Sequence, residues 1–265
     1  MLIASPRREK RTRTRESRKR FAERRISYVL EAIVCFGLIG VFLYGFYCYA
    51  RTADAFFVKT IRVEGANLLR DDAIIGQSGI TNADNLFSLD TEAVGEKVKA
   101  LPFVKTCEVT RIFPDKAAIR IEERAPVATL LVNNRLFEVD PNGYVLREPG
   151  LGESHVGPFI TNVPDAGYVE VGQQLNDCTL RTALEVWRAF RMTSMAGDVT
   201  ASEISAAQEN QIVMYCDELD FEIRWGRGDF DKQAWKLDVL WQDQDRQLAC
   251  KEYVDLRFGN DVACR

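Results

Sequence analysis

The most apolar part of the chain is residues 32–49, AIVCFGLIGVFLYGFYCY, which contain no charged side chain. As a helix this segment would be about 27 Å long at about 1.5 Å per residue, close to the thickness of a bilayer's hydrocarbon core. Three tyrosines stand near its far end, where aromatic side chains favour the membrane interface: Tyr44, Tyr47 and Tyr49. A buried core helix is the alternative, but core helices rarely contain so long an uncharged run. The pattern therefore predicts a transmembrane helix over residues 26–51.

Between residues 56 and 126, apolar residues alternate with polar ones in some segments and recur at helical spacing in others. This pattern predicts five elements in the order strand, helix, helix, strand, strand. They are a strand over 57–64, a short helix that stops at Gly79, a helix with Asp90 as its N-cap that ends at Pro102, and two strands within 106–122. Two helices on one face of a small sheet is the simplest packing for this order.

The last two of these strands are joined at a Pro-Asp turn and predict a hairpin. In the second strand, Ile119 and Ile121 alternate with polar residues, so we expect them to face the core. Arg120 and Glu122 are expected to face water. The hairpin shows no arrangement typical of an active site.

Residues 127–265 predict mostly strands, interrupted by two helices. The sequence PNG at 141–143 lies between two alternating segments and predicts a hairpin turn. One helix is expected to begin near Asp177 and another near Phe230. Their apolar faces are Leu180, Ala183, Leu184, Trp187 and Phe190 in the first helix, and Phe230, Ala234, Leu237, Trp241 and Leu248 in the second. The predicted fold class is α+β: a single transmembrane helix, then a β-α-α-β-β domain, then a mostly antiparallel β domain with flanking helices.

Charge divides the chain into two parts. Between Arg7 and Arg25 there are 11 Lys or Arg residues and 3 Glu residues, and residues 1–51 carry a net charge of +8. Because the whole chain carries −4, residues 52–265 carry −12. An excess of basic residues keeps the adjoining end of a membrane span in the cytoplasm, so residues 52–265 are predicted to lie outside it. We expect the basic tail, residues 1–25, to bind anionic lipid headgroups.

Three alternatives concern this N-terminal region. The sequence Ala-Asp-Ala at 53–55 resembles a signal-peptidase site, but the charged region and the apolar run exceed those of a usual signal peptide. Arg24 and Arg25 resemble a twin-arginine signal only weakly. An uncleaved signal anchor is therefore predicted. Nucleic-acid binding would also use a basic tail, but this tail lacks interleaved aromatic residues and adjoins the membrane span directly.

The cysteines and the histidine predict no metal site. The chain has seven cysteines without Cys-x-x-Cys spacing and one histidine, so a Cys/His zinc site is not expected. Five cysteines follow the span: Cys107, Cys178, Cys216, Cys250 and Cys264. Their spacing leaves open which of them pair, and a disulfide among the last three is one option.

Catalytic chemistry has few candidates. His155 is the histidine that could assist a nucleophile, but a solvated histidine in its Gly- and Pro-rich loop is the simpler interpretation. Adjacent carboxylates occur at 71–72 and 122–123, on faces expected to be solvated. A cell-wall hydrolase is the contrasting hypothesis, since carboxylate pairs serve glycoside hydrolysis. We predict no enzymatic activity and no cofactor.

Several segments together resemble one family. IRVEGANLL, GITNADNLFSLD, LPFV and CEVTRIFPDKAAIRIEERAPVA resemble the POTRA domain of the FtsQ/DivIB family of bacterial division proteins. FEVDPNGYVL, YVDLRF and WGRGDFDKQAWKLDVL resemble its second domain, the last at Gly226, Lys236, Leu237 and Leu240. The resemblance covers residues 56–149 well and 150–262 more loosely. It implies a POTRA domain over 56–126 and an FtsQ-like β domain over 127–265.

The same resemblance implies a function. Members of this family are non-catalytic, single-pass type II proteins of the bacterial inner membrane. They recruit and hold other divisome proteins, of the FtsB and FtsL types, at the division septum. Because POTRA domains also occur in export systems, the alternative is a membrane-anchored POTRA protein that assists export or envelope assembly.

The resemblance also implies a docking site. EYVDLRF, residues 252–258, is the last predicted strand, and in the resembled family the last strand lies at a sheet edge where a partner adds a strand. Alternation predicts two faces. Val254, Leu256 and Phe258 are expected in the core, and Tyr253, Asp255 and Arg257 are expected to meet the partner, with Tyr253 as its aromatic anchor. An internal strand with nothing bound is the alternative.

Overall fold

The computed structural model describes residues 7–265 except 151, 165 and 260, with the side chains of residue 28 and of residues 30 onward. The first helix, α1, spans Arg7–Thr52, and its portion Leu30–Thr52 is long and apolar enough to cross a membrane. The span predicted at 26–51 therefore lies within one continuous helix, which also includes the backbone of residues 7–25. The side chains of the basic tail, on which the lipid-binding prediction rests, lie outside the described residues.

A single 3₁₀ turn at Asp54–Phe56 follows, and then five elements in the predicted order. They are β1 Thr60–Glu64, α2 Asp71–Ser78, α3 Thr91–Lys99, β2 Val104–Ile112 and β3 Lys116–Glu123. The three strands form a sheet in the order β1-β3-β2. Ile119 and Ile121 are buried while Arg120 and Glu122 are exposed, which confirms the predicted faces of β3.

Local hydrogen bonds position these elements. The Asp90 carboxylate caps α3 by accepting from the N–H groups of Glu92 and Ala93, both at 3.1 Å, as the sequence predicted. The Glu123 carboxylate, at the end of β3, accepts from three successive N–H groups of residues 67–69 at 2.8–2.9 Å. The loop that leads into α2 is therefore attached to the central strand.

The remaining strands form a second sheet with two helices. The strands are β4 Ala128–Val132, β5 Arg135–Val139, β6 Val145–Arg147, β7 Phe159–Thr161, β8 Ala201–Gln208, β9 Gln211–Cys216, β10 Glu222–Trp225, β11 Tyr253–Asp255 and β12 Ala263–Cys264. The helices are α4 Cys178–Phe190 and α5 Phe230–Asp243. Within the described residues the strand order is β12-β11-β10-β9-β8-β7-β4-β5-β6.

This sheet is mixed. Over the described part of the chain, five neighbouring pairs are antiparallel and three are parallel, namely β4 with β7, β7 with β8, and β10 with β11. The antiparallel majority agrees with the predicted fold class. The hairpin predicted at 141–143 joins β5 to β6, and Gly143 adopts a φ of +75°, as such a turn requires.

Both predicted helices bury their apolar faces in the core of this sheet. In α4, Asp177 caps the first turn by accepting from the N–H of Leu180 at 2.8 Å. The prediction that Leu248 continues the face of α5 was wrong, because α5 ends at Asp243. Asp245 and Arg246 then adopt φ values of +52° and +64°, which a continuing right-handed helix does not allow.

The chain forms two compact units. The first contains the described residues up to Thr60 together with Thr81–Leu89 and Arg111–Ala117. The second contains Ile61–Ile80, Asp90–Thr110 and Ala118–Arg265. The domain limits inferred from the sequence, 56–126 and 127–265, are a different division and stay a prediction.

Candidate functional site

The C-terminal end of the second sheet consists of β10, β11 and β12. β11 pairs in parallel with β10, with Glu222 opposite Tyr253. On its other side β11 pairs antiparallel with β12, with Val254 opposite Cys264. β12 is therefore the outermost strand. The prediction that residues 252–258 form the sheet edge was wrong, because the chain turns back after them and satisfies the outward backbone groups of β11.

Backbone hydrogen bonds attach the end of the chain to β11. The N–H of Arg265 donates to the carbonyl of Tyr253 at 3.1 Å. The carbonyl of Arg265 accepts from the N–H groups of Lys251 at 2.7 Å and Glu252 at 2.6 Å. These bonds continue the β11–β12 ladder through residue 265.

A disulfide between Cys250 and Cys264 reinforces this attachment. It closes a loop with a sequence separation of 14, for which loop-closure entropy predicts a stabilisation of about 3 kcal/mol. The pairing that the sequence left open is thereby assigned. Cys216, the third candidate, is buried in the core, and burial raises the pKa of its thiol to about 12.

A buried lysine supports the loop between β11 and β12. The Lys236 ammonium, on α5, donates to the carbonyls of Leu256 at 2.9 Å, Gly259 at 3.2 Å and Asp261 at 3.3 Å. Burial and the neighbouring Lys232 lower the pKa of this ammonium from its usual value. Three carbonyl acceptors compensate part of the desolvation of the charge, so the loop that leads into β12 is tied to the core helix.

An Asp-Arg pair and a glycine shape the other side of this loop. The Asp255 carboxylate accepts from the backbone N–H of Arg257 at 3.0 Å and from its guanidinium at 2.5–3.1 Å. Burial raises the pKa of Asp255, but these hydrogen bonds outweigh it and lower the pKa below its usual value. A Cβ at Gly226 would lie 2.9 Å from the Arg257 side chain and 3.2 Å from its Cα, so only glycine permits this approach.

The predicted alternation of the last strand holds at Val254, Leu256 and Arg257 but fails at Asp255 and Phe258. Val254 and Leu256 are buried in the core, as expected, and Tyr253 is half-buried. Asp255 was expected to meet a partner but is buried beneath its ion pair with Arg257, which is itself exposed. Phe258 was expected in the core but is 55% exposed, because it follows the end of β11 at Asp255.

Polar and aromatic side chains cover the sheet face beside this edge. The Arg224 guanidinium lies 4.0 Å from the centre of the Tyr253 ring, a cation–π contact, and its Nε donates to Glu222 at 2.6 Å. The Tyr215 hydroxyl donates to the same Glu222 carboxylate at 3.1 Å. Tyr253 therefore belongs to an ordered polar face instead of standing alone as an anchor.

The two ends of the sheet differ in how they are covered. At the β6 end, the N–H of Val145 donates to Gln173 and its carbonyl accepts from Gly172, both at 2.9 Å. At the other end, the N–H of Arg265 points towards β11, so alternation along the strand turns the N–H and C=O of Cys264 away from it. Among the described residues no strand pairs with that outer side of β12.

The candidates for chemistry are not brought together. His155 is exposed, and its ring lies against Phe159 with centroids 4.3 Å apart. The Glu123 oxygens accept the backbone bonds of residues 67–69, and Glu122 pairs with Lys105 at 2.6 Å. Within the described part of the chain, no group of three or more His, Cys, Asp and Glu side chains could hold a metal ion.

Sequence reasoning missed three contributors to this site. β12 is two residues long and carries no periodic signal. Arg224 reads as an ordinary polar position of a strand. Lys236 was singled out only through the resemblance of its segment, and only the structure shows that it is among the buried residues of α5.

Comparisons with known proteins agree with this architecture. The family model for the POTRA domain, FtsQ-type, matches residues 56–124. A protein of Corynebacterium glutamicum named cell division protein FtsQ is 31% identical over 191 residues, which cover 71% of this chain and 81% of the relative. A protein of the same name from Geotalea daltonii is 23% identical over 234 residues, or 88% of this chain and 82% of the relative. Cell division protein DivIB of Clostridium tetani is 29% identical over 93 residues, 35% of each chain.

Proposed function

Because the chain belongs to the FtsQ/DivIB family of bacterial cell division proteins, we propose that it is a non-catalytic scaffold that holds other membrane proteins of the division machinery together. Its role in cell division and its membrane-spanning N-terminal helix are the premises. The proposed partners are FtsB- and FtsL-like proteins. The proposed location is the septum, with residues 52–265 outside the cytoplasm.

The proposal rests on the outer side of β12, with which no strand of the described residues pairs. A partner segment in extended conformation can add there as a further strand, since backbone hydrogen bonds supply affinity and alternate side chains supply specificity. The edge is short but preorganised. The disulfide, the Arg265 bonds and Lys236 all hold it before a partner arrives.

The side chains next to this edge supply the specificity in the proposal. The Tyr253 ring, stacked on Arg224, and the exposed Phe258 offer apolar surface on either side of the Asp255–Arg257 pair. Tyr253, Arg257 and Phe258 thus stay in the proposed site as flanking contacts, while the buried Val254, Asp255 and Leu256 support the edge from beneath.

The test removes one outward N–H from the edge. Val262 directly precedes β12, and if the alternation of β12 continues to it, its N–H points outward like that of Cys264. Val262→Pro removes that donor. The full-length chain, solubilised in detergent, should then capture co-expressed FtsB- and FtsL-like proteins at least about tenfold less well, equivalent to about 1.4 kcal/mol.

Val262→Ala is the matched control, because it keeps the N–H but loses the same side-chain packing. Its capture should stay within about twofold of the native chain, since one backbone bond is unchanged. Undiminished capture by the folded Val262→Pro variant would contradict docking at this edge. Arg257→Pro is not a suitable test, because the Arg257 N–H is bonded to Asp255 and does not face a partner.

A further inference from the structure

The first compact unit contains an aromatic cluster at the end of the membrane helix. Phe87 lies between Phe56 and Phe113, with ring centroids 4.9 Å from each. Phe56 and Phe113 are 6.3 Å apart. The three rings come from the 3₁₀ turn after α1, from the segment Thr81–Leu89, and from the turn between β2 and β3.

One side of this cluster is open to solvent. Phe113 is 51% exposed and the preceding Ile112 is 43% exposed, although both are large apolar side chains. Together with the aromatic cluster these two side chains form a contiguous apolar surface, and such surfaces, unlike single exposed apolar residues, mark protein or membrane interaction sites. The flanking residues in the chain, Arg111 and Lys116, are basic and exposed.

Hydrogen bonds tie these segments to the last turns of α1. The Asn85 amide donates to the carbonyl of Ala50 at 3.0 Å, and Ala50 is fully buried although it lies within the candidate span. The N–H of Leu86 donates to the carbonyl of Phe56 at 2.9 Å. The segment Thr81–Leu89 therefore lies at the level of the final turn of α1.

The turn that carries Phe113 is tied to the segment that follows the 3₁₀ turn. The N–H of Lys59 donates to the carbonyl of Asp115 at 2.8 Å, and the Lys59 ammonium pairs with the Asp115 carboxylate at 3.5 Å. These bonds also explain why β1 begins at Thr60 and not at residue 57. The N–H of Phe57 bonds to Asp54 in the 3₁₀ turn, and those of Val58 and Lys59 bond to Asp84 in the loop and Asp115 in the turn.

We propose that the Ile112–Phe113 turn inserts its apolar side chains into the membrane interface, so that the first unit contacts the bilayer beside α1 as well as through it. The last two turns of α1 contain Tyr47 and Tyr49, which are typical of the interfacial layer, and Arg51, whose guanidinium lies 5.6 Å from the Tyr47 ring centre. An exposed aromatic cluster tied to those turns is at the same depth. Basic residues on both sides of the apolar pair suit anionic headgroups.

This contact has a consequence for the molecule. A helix in a bilayer is free to rotate and tilt unless flanking residues anchor it. A second contact beside the helix restricts that freedom. The proposal rests on the membrane-spanning helix and is independent of docking at β12.

The test is fluorescence quenching in nanodiscs that contain the full-length chain and lipids alone. Phe113→Trp adds a fifth tryptophan to the four native ones, which all lie in the second unit. Lipids brominated in the upper acyl chain should quench the added emission, because an interfacial tryptophan contacts them. Met192→Trp, at a position 80% exposed in the second unit, is the reference.

We expect the emission added by Phe113→Trp to be quenched at least about threefold more strongly than that added by Met192→Trp, as interfacial burial requires. Unchanged thermal unfolding confirms that the variants fold. If Phe113→Trp disturbs folding, Ile112→Trp gives the same measurement. Equal quenching at the two positions would overturn the proposal, and the exposed pair would then belong to a protein partner's surface, which these nanodiscs exclude.

Discussion

At the scale of single residues, Asp255 shows that an ion pair can bury a residue whose place in the strand pattern predicts exposure. Its position on β11 is on the polar face, together with Tyr253. It is nevertheless buried, because the guanidinium and the backbone N–H of Arg257 both bond to its carboxylate. A charged group is tolerated there only because its acceptors are satisfied.

Because of Asp255, the stability of this end of the sheet should decrease at acidic pH. Its pKa is lowered in the folded state, so its contribution to stability is fully present above the ordinary aspartate pKa of about 3.9. The contribution is lost as the pH falls below that value, through the lower folded pKa. Asp255→Asn should therefore cost about 1–2 kcal/mol in unfolding free energy at pH near 7.

The check is chemical unfolding of the full-length chain in detergent at pH near 7 and near 3. The difference in unfolding free energy between the native chain and the Asp255→Asn variant should be smaller at the lower pH. Asp217→Asn, at an exposed position, is the control and should show no such difference. An equal difference at both pH values would mean that the Asp255 charge does not stabilise the edge.

At the scale of elements, β3 is the central strand of the first sheet and pairs with both of the other strands. Its buried side chains are small or β-branched: Ala117, Ala118, Ile119 and Ile121. Its exposed side chains pair across the sheet, for instance Arg120 with Glu64 at 3.0 Å. Strict alternation from Ile119 to Glu122 leaves no freedom to shift the strand by one residue.

Substitutions at neighbouring positions of β3 should therefore differ strongly in how much stability they remove. Ile121→Asp places an unpaired carboxylate in a small core, which costs several kcal/mol of a total that is typically about 5–15 kcal/mol. Arg120→Asp introduces the same group on the wet face and loses an exposed ion pair worth at most about 1 kcal/mol. Thermal unfolding of full-length variants measures both, and similar melting temperatures would contradict the register.

At the scale of the whole molecule, charge and the apolar helix act together. Residues 1–51 carry +8 and residues 52–265 carry −12, with α1 as the single helix among the described residues that is apolar enough to cross a membrane. Positive residues resist translocation, so the basic tail is expected to stay in the cytoplasm. In that orientation, the sheet edge at β12 would be available to partners outside the cytoplasm.

The orientation can be tested with reporter enzymes fused after Arg265. A reporter that folds only outside the cytoplasm should be active, because +8 before the span faces a lone Arg51 just after it. Activity of a cytoplasm-only reporter at the same position would reverse the topology. The mass of the membrane-bound protein must also equal that of the full chain, which excludes cleavage near residues 53–55.

The sequence by itself determined the parts of this protein that depend on near neighbours. The membrane span, the β-α-α-β-β order, the cap at Asp90 and the turn at Gly143 all rest on residues a few positions apart. Such features have a local physical cause: helix and strand periods, an N–H without a partner, or a positive φ. The local sequence pattern therefore predicts these features.

Tertiary structure alone decided the sheet edge. The two residues of β12 form a strand only because β11, the disulfide and Lys236 hold them there, and none of these contacts is encoded in their own pattern. Alternation likewise could not show that β11 stops at Asp255 and leaves Phe258 exposed. An edge is defined by which strand lacks a neighbour, and that depends on pairing between distant segments, which no local pattern contains.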